Sequence, residues 1–324
     1  MDPLPNLSFT GSRYTVAEPF QVSGESYDGR IPYCFLHIPK TAGTTIHFVL
    51  KAAIDESFPS GDANYTRFRV PRVEGESPIS IKPGWIGSWP TVLAEAATYS
   101  PPPRRRFVSA HCPFGFHEPL RLAAARYFTL VRDPVAREVS SFNFRYQRGF
   151  LPQDASLISL LEAGAILDNP QVRMLAGLDA MSAVCTRTTL SRARENIERD
   201  FQFAACDDQS SSFISALLGF FGLPPVAYVR SQVTGMKLIS HPDAVLRERL
   251  YGYHAFDHEL VTWVRDRWNA WAGTYLTRRR GSDSSDMVLA VGPDFASERK
   301  ARVLSRAELN VSSDDSLLVQ LAKE

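Results

Sequence analysis

"FLHIPKTAGTTIHFVL", residues 35–50, decides the fold of this 324-residue chain. Pro32-Tyr-Cys-Phe-Leu-His-Ile38 is a short apolar run ended by Pro39, which reads as a buried strand. From Thr45 to Ile54 the pattern changes period. Ile46, Val49, Leu50 and Ala53 fall on one helical face. Between strand and helix lies Pro39-Lys-Thr-Ala-Gly-Thr-Thr45. Such a loop turns backbone N–H groups and the positive end of a helix dipole toward an anion. Gly43 permits close backbone approach, Lys40 supplies a point charge, and Thr41, Thr44 and Thr45 supply hydroxyls. The common nucleotide loop, G-x-x-x-x-G-K-[ST], places its lysine late and a magnesium-binding hydroxyl after it. Here Lys40 comes early and no glycine precedes it, which disfavours an ATP- or GTP-hydrolysing loop.

Working outward, two more short strands end in reactive residues. Phe107-Val-Ser-Ala110 runs into His111-Cys-Pro-Phe-Gly115. Tyr127-Phe-Thr-Leu-Val131 runs into Arg132-Asp-Pro. Asp133 is a suitable N-cap and Pro134 a suitable first helical residue. Val135, Val139, Phe142 and Tyr146 then form an apolar stripe. Arg132 at the strand tip and Ser140 two turns into the helix form a clamp suited to a second phosphate. Arg137 either joins that clamp or faces water. His111 is the expected proton acceptor, since histidine is neutral near pH 7. His37, His47 and His117 are rivals, with His37 and His47 expected to be structural.

Strand–helix alternation, extended by helices over 156–165, 169–177, 190–200, 211–221, 241–253 and 257–276 and strands near 201–205 and 226–229, implies an α/β fold. A helix is also expected over 90–99. A central parallel sheet flanked by helices puts its ligands beyond the carboxyl ends of the strands. Residues 1–30 read as an irregular lead-in. Residues 278–324, beginning in the polar run RRRGSDSSD, read as a peripheral or partly disordered tail.

Bulk composition excludes several classes. The net charge of +1 gives no global field for nucleic acid or membrane. Cys34, Cys112, Cys185 and Cys206 lack zinc spacing and imply reduced thiols. No leader and no run of about 20 apolar residues is seen, so a soluble, cytoplasmic protein without a transmembrane segment is expected. Three Asn-x-Ser/Thr triplets, at Asn6, Asn64 and Asn310, carry no weight without a secretory signal.

"HIPKTAGTT" (37–45) and "VRDPVAREVSSF" (131–142) together resemble the two cofactor-binding segments of sulfotransferases that use 3′-phosphoadenosine 5′-phosphosulfate (PAPS). The resemblance is to the branch of heparan sulfate 2-O- and 6-O-sulfotransferases and their bacterial relatives. His111-Cys-Pro-Phe-Gly115 and Asn169-Pro-Gln-Val-Arg-Met-Leu-Ala-Gly177 are also similar, and "LSRARENIERDFQFAA" and "YVRSQVTG" more loosely so. The match spans roughly 33–270.

It implies a P-loop-like three-layer fold, with residues 31–277 as the sulfotransferase domain. It further implies that Lys40, Thr41, Ala42, Gly43, Thr44 and Thr45 cradle the 5′-phosphosulfate. Lys40 would also stabilise the leaving oxygen. Arg132, Ser140 and Arg230 hold the 3′-phosphate, and His111 deprotonates the acceptor hydroxyl. No metal is implied, because a lysine can offset the smaller charge at the reactive end of PAPS.

The acceptor implied is a glycan or glycoconjugate. Trp85 and Trp89 could stack on sugar rings, and Arg104–Arg106 and Arg173 could contact acidic groups; packing and solvated charge are the alternatives. Two departures bear on the acceptor side. The family's small motif ending in Glu reads Cys206-Asp-Asp-Gln-Ser, and its Asn near 231 is replaced by Ser or Gln. Two other functions stay open: a kinase-like phosphotransferase using Mg²⁺ and ATP, and a non-catalytic nucleotide- or glycan-binding protein.

Overall fold

The computed structural model describes residues 13–24, 27–57, 64–68, 106–228, 238–278, 287–291, 301–305 and 319–320. The expected helix over 90–99, together with Trp85, Trp89, Arg104, Arg105 and Arg230, lies outside them.

The opening stretch forms strand β3 (Tyr33–Leu36) and helix α1 (Gly43–Ser57). Two short strands precede it, β1 (Arg13–Ala17) and β2 (Phe20–Val22). After α1 come β4 (Asn64–Phe68), β5 (Arg106–Ala110) and β6 (Arg126–Val131). Helices α2 (Pro134–Gln147), α3 (Leu157–Glu162), α4 (Pro170–Ala176) and α5 (Arg187–Asp200) follow. The chain continues through β7 (Phe201–Cys206), α6 (Ser210–Phe221) and β8 (Val226–Tyr228). Then come α7 (Ala244–Tyr253), α8 (Ala255–Tyr275) and β9 (Leu276–Arg278). Strands β10 (Met287–Val291), β11 (Ala301–Ser305) and β12 (Val319–Gln320) complete the described elements.

The central sheet has the order β4-β5-β3-β6-β7, and every pair in it is parallel. All four residues of β3 are buried, as expected of a central parallel strand covered on both faces. Its alternation assigns them to two cores. Tyr33 and Phe35 join Phe107, Phe128, Leu130 and Phe203 on the face covered by α1 and α6. Cys34 and Leu36 join Val108, Ala110 and Tyr127 on the face covered by α4, α5 and α8. The result is a three-layer α/β fold with a central parallel sheet flanked by helices. The stripe Val135, Val139, Phe142 on α2 packs in a third cluster with Leu157, Leu160, Leu246 and Leu250.

The chain ends differ from the sequence expectation. The lead-in contains β1 and β2, and the tail supplies β10, β11 and β12. They form a second sheet, β11-β10-β8-β1-β12, while β2 pairs with β9. Strands β10 and β11 pair with each other nearby in sequence, but β1, β2 and β12 find their partners far away, so no local signal announces those pairings. One contact fixes β2. A Cβ on Gly219 of α6 would lie 1.7 Å from the Phe20 carbonyl oxygen, so glycine lets the strand cross the helix.

Connectivity places the ligand edge. From β3 the chain runs to β4 and β5 on one side, and later to β6 and β7 on the other. The loop after β3 therefore sits where the strand order reverses, the usual ligand position in open α/β sheets.

Candidate anion-binding and proton-transfer site

Residues 37–42 leave β3 at that switch point. His37 N–H still donates to Ala110 O at 2.9 Å, continuing the β3–β5 ladder by one residue. The backbone then tightens. Lys40 (φ 70°) and Ala42 (φ 63°) both adopt left-handed conformations, which cost energy in non-glycine residues. Two such residues around Thr41 curl the chain into a concave turn of the kind that gathers N–H groups toward an anion. Helix α1 starts at once, with no acidic residue in its first turn to compete for that end of its dipole. The Thr41 hydroxyl donates to Ile38 O at 2.8 Å, so its proton is committed to closing the loop. Thr44 is half-buried and Thr45 buried.

Gly43 has a more local reason than ligand approach. A Cβ there would stand 2.2 Å from His37 Cδ2, because the His37 ring packs against it. That ring is buried, stacked on Phe35 and 4.0 Å from the His111 ring, centroid to centroid. His37 is thus the shelf between the loop and His111.

His111 follows β5 directly. Its Nδ1 lies 2.8 Å from His37 O. A carbonyl oxygen only accepts, so Nδ1 carries the proton in the neutral ring and Nε2 keeps the lone pair. The fold therefore fixes the tautomer that a general base needs. His117, on the same connection, instead faces the Tyr127 hydroxyl at 2.6 Å. Burial holds its pKa below the ordinary value. His47 is buried on α1.

Arg132 follows β6, on the other side of β3. Its Nη1 donates to Lys40 O at 3.0 Å, and its Nε lies 3.0 Å from Asp207 Oδ2 at the end of β7. The residues after β3, β6 and β7 thus meet in one place. Lys40 Nζ rests 4.2 Å from the centre of the Phe144 ring, and Arg148 packs over the same ring at 5.5 Å. Burial, with the fields of Arg132 and Arg148, pulls the Lys40 pKa down to about 8. Ser140 is half-buried on the second turn of α2.

Two arginines are placed elsewhere. Arg137 is buried and paired with Glu138 at 2.5 Å, so it neither faces water nor joins the clamp. Arg173 is buried on α4. It binds Asp168 at 2.5 Å and donates to the carbonyls of Asp168, Ala180 and Ala183. Four of its five N–H donors are thus engaged within the protein. Phe144, Arg148 and Asp207 are the contacts that sequence reasoning missed. Asp207 lies in the stretch Cys206-Asp-Asp-Gln-Ser, one of the two departures from the resemblance. Among the described residues no group of His, Cys, Asp and Glu could hold a metal ion, and no helix is long and apolar enough to cross a membrane.

No protein-family model matches the chain, and no curated protein matches its sequence. Solved structures that resemble it include the mouse sulfotransferase SULT7A1 complexed with PAP, at 12% identity and a TM-score of 0.34. That alignment covers 72% of this chain and 68% of that one. A sulfotransferase from Alicyclobacillus acidocaldarius aligns at 13% identity and a TM-score of 0.37, covering 74% of this chain and 98% of that one. Retinol dehydratase in a complex with retinol and PAP aligns at 17% identity and a TM-score of 0.33. There the coverage is 58% of this chain and 60% of that one. These likenesses are distant.

Proposed function

We propose that the chain is a PAPS-dependent sulfotransferase, moving a sulfuryl group to an acceptor hydroxyl. The observation that carries this reading is the meeting of three strand ends. A lysine-bearing anion loop, an arginine hydrogen-bonded to that loop, and a histidine held in its Nδ1–H tautomer converge at the switch point. PAPS, a nucleotide with phosphates at both its 5′ and 3′ positions, fits two neighbouring cationic sites better than one.

The roles are those that the resemblance of 37–45 and 131–142 implies. The turn Lys40–Thr45 and the start of α1 would hold the 5′-phosphosulfate through backbone N–H groups, Lys40 Nζ and the Thr44 and Thr45 hydroxyls. Arg132 and Ser140 would hold the 3′-phosphate, with Arg230 as a further contact. His111 Nε2 would accept the proton of the acceptor hydroxyl. The acceptor oxygen forms a bond to sulfur as the bond from sulfur to the phosphate oxygen breaks. The electron pair leaves on that oxygen, where Lys40 offsets the charge. Such in-line transfer relies on positioning and charge stabilisation, as phosphoryl transfer does. Lysine and backbone groups supply the positive charge that a metal supplies elsewhere. The resemblance of 37–45 and 131–142 to the heparan sulfate 2-O-/6-O- branch supports a carbohydrate acceptor, and Arg173 adds nothing to that.

Calorimetry with 3′-phosphoadenosine 5′-phosphate (PAP), with and without Mg²⁺, tests the reading. Metal-independent binding is expected. Absence of binding in both conditions overturns it. ATP binding that needs Mg²⁺, without PAP binding, points instead to a phosphotransferase. Transfer of labelled sulfate to a panel of glycans then tests the acceptor class.

A further inference from the structure

We infer that Gln171 is a positioning residue for the proposed nucleotide site, acting through the backbone of Arg132. Strand β6 ends at Val131, and the Arg132 peptide passes beyond the sheet. Its N–H donates to Gln171 Oε1 at 2.8 Å, and its carbonyl accepts from Gln171 Nε2 at 2.7 Å. One side-chain amide thus satisfies both polar groups of one backbone residue, as a neighbouring strand would. The side chain is wholly buried, and Gln171 stands on α4, a layer away from the anion loop.

Gln171 is itself held tightly. The buried Asp257 of α8 accepts from the backbone N–H of Gln171 at 3.2 Å and of Val172 at 2.8 Å. Asn169, in a left-handed conformation, accepts from the N–H groups of Phe256 and Asp257. Its own N–H donates to His254 Nδ1. The first turn of α4 and the first turn of α8 therefore cap each other, and the amide that protrudes from this lock grips Arg132. With the Arg132 peptide fixed, its guanidinium is directed between Lys40 O and Asp207. A loose peptide would let the guanidinium swing away, since a side chain is placed only as well as its supporting contacts allow.

This assignment rests on the PAPS reading, and the experiment separates the two. PAP affinity is measured by calorimetry for the full chain, for Gln171→Met, for Arg132→Ala and for the double variant. Methionine keeps the length of glutamine and removes both hydrogen bonds. If Gln171 acts through Arg132, Gln171→Met weakens PAP binding about tenfold in the wild-type background, the worth of one well-made buried hydrogen bond. In the Arg132→Ala background it changes binding less than twofold, because there is no guanidinium left to place. Equal losses in both backgrounds, or no loss in either, overturn the assignment while leaving the PAPS reading intact. Failure of the wild-type chain to bind PAP overturns both. Where Gln171→Met does not fold, Gln171→Glu replaces it. A protonated Glu reproduces both hydrogen bonds, and an ionised one faces the Arg132 carbonyl. Its PAP affinity, as a ratio to wild type, should then fall as pH rises from 5.5 to 8. A ratio that does not change with pH overturns the assignment.

Discussion

Lys40 gives a quantitative test of the anion site. Burial comes first, then the positive charges of Arg132 and Arg148, and together they bring its pKa down to about 8 from the ordinary 10.5. A bound phosphate beside the ammonium reverses the balance and draws the pKa back toward the ordinary value. The bound pKa then exceeds the free one, so binding takes up a proton wherever free Lys40 is neutral. With a free pKa of about 8, uptake is about 0.1 proton at pH 7, about 0.5 at pH 8 and about 0.9 at pH 9. Affinity is fully present below pH 8 and is lost as pH rises through and above it. From pH 7 to pH 9 the loss is about tenfold, and it continues at about tenfold per pH unit until the bound pKa is reached. Calorimetry of PAP binding in two buffers of different ionisation enthalpy reads the uptake directly. Lys40→Arg is the control. It keeps the charge but does not titrate in this range, so its binding enthalpy should be independent of buffer. Binding at pH 9 without proton uptake in the wild type would show that Lys40 does not face the bound anion, and the reasoning would fail.

Three further outcomes follow from the geometry. His111→Ala should reduce sulfate transfer by at least about a hundredfold while leaving PAP affinity within about twofold, since general-base catalysis contributes on that order; unchanged turnover would remove His111 from the mechanism. Gly43→Ala drives a methyl into the His37 ring and should lower stability by about 1–3 kcal/mol, with PAP binding lost as well. Gly219→Ala sets a methyl against the Phe20 carbonyl and should lower stability comparably, yet spare PAP affinity in the folded fraction; thermal melts beside calorimetry distinguish these two losses.

Legibility in the sequence followed the range of the forces involved. Strand β3 and helix α1 announce themselves because their periodicity is local. The N-cap of α2 does so too: Asp133 accepts from the Ala136 N–H as the Asp-Pro signal implies. The three reactive strand ends were visible for the same reason, each being a polar residue just past an apolar run. What stayed hidden depends on distant partners. The second sheet joins β1 to β8 and β12; a strand near 226–229 was legible, but β1, β12 and their pairing with it were not. Arg137 and Arg173 look like ligand or solvent-facing residues until the fold buries them against Glu138 and Asp168. Arg148 and Phe144 reach Lys40 only because α2 returns across the switch point. Gln171 lies inside the stretch 169–177, but its contact crosses from α4 to the end of β6 and has no local sign.

The charge arrangement explains why these hidden residues matter. Arg132 is shared between the Lys40 carbonyl and Asp207, which tempers its positive field in the free protein. Among the described residues no carboxylate pairs with Lys40 or Arg148. Lys40 instead rests on the face of Phe144, a weak partner for a half-buried ammonium. A structural lysine in such a place would be expected to acquire a carboxylate, because an uncompensated buried charge is costly. Here the cost falls on the lysine's proton, which is held less tightly than in water. An incoming anion relieves that cost, and by doing so contributes more to its own binding than it would against a lysine already paired. On the proposed reading, the early lysine of "PKTAGTT" is therefore poised to meet an anion.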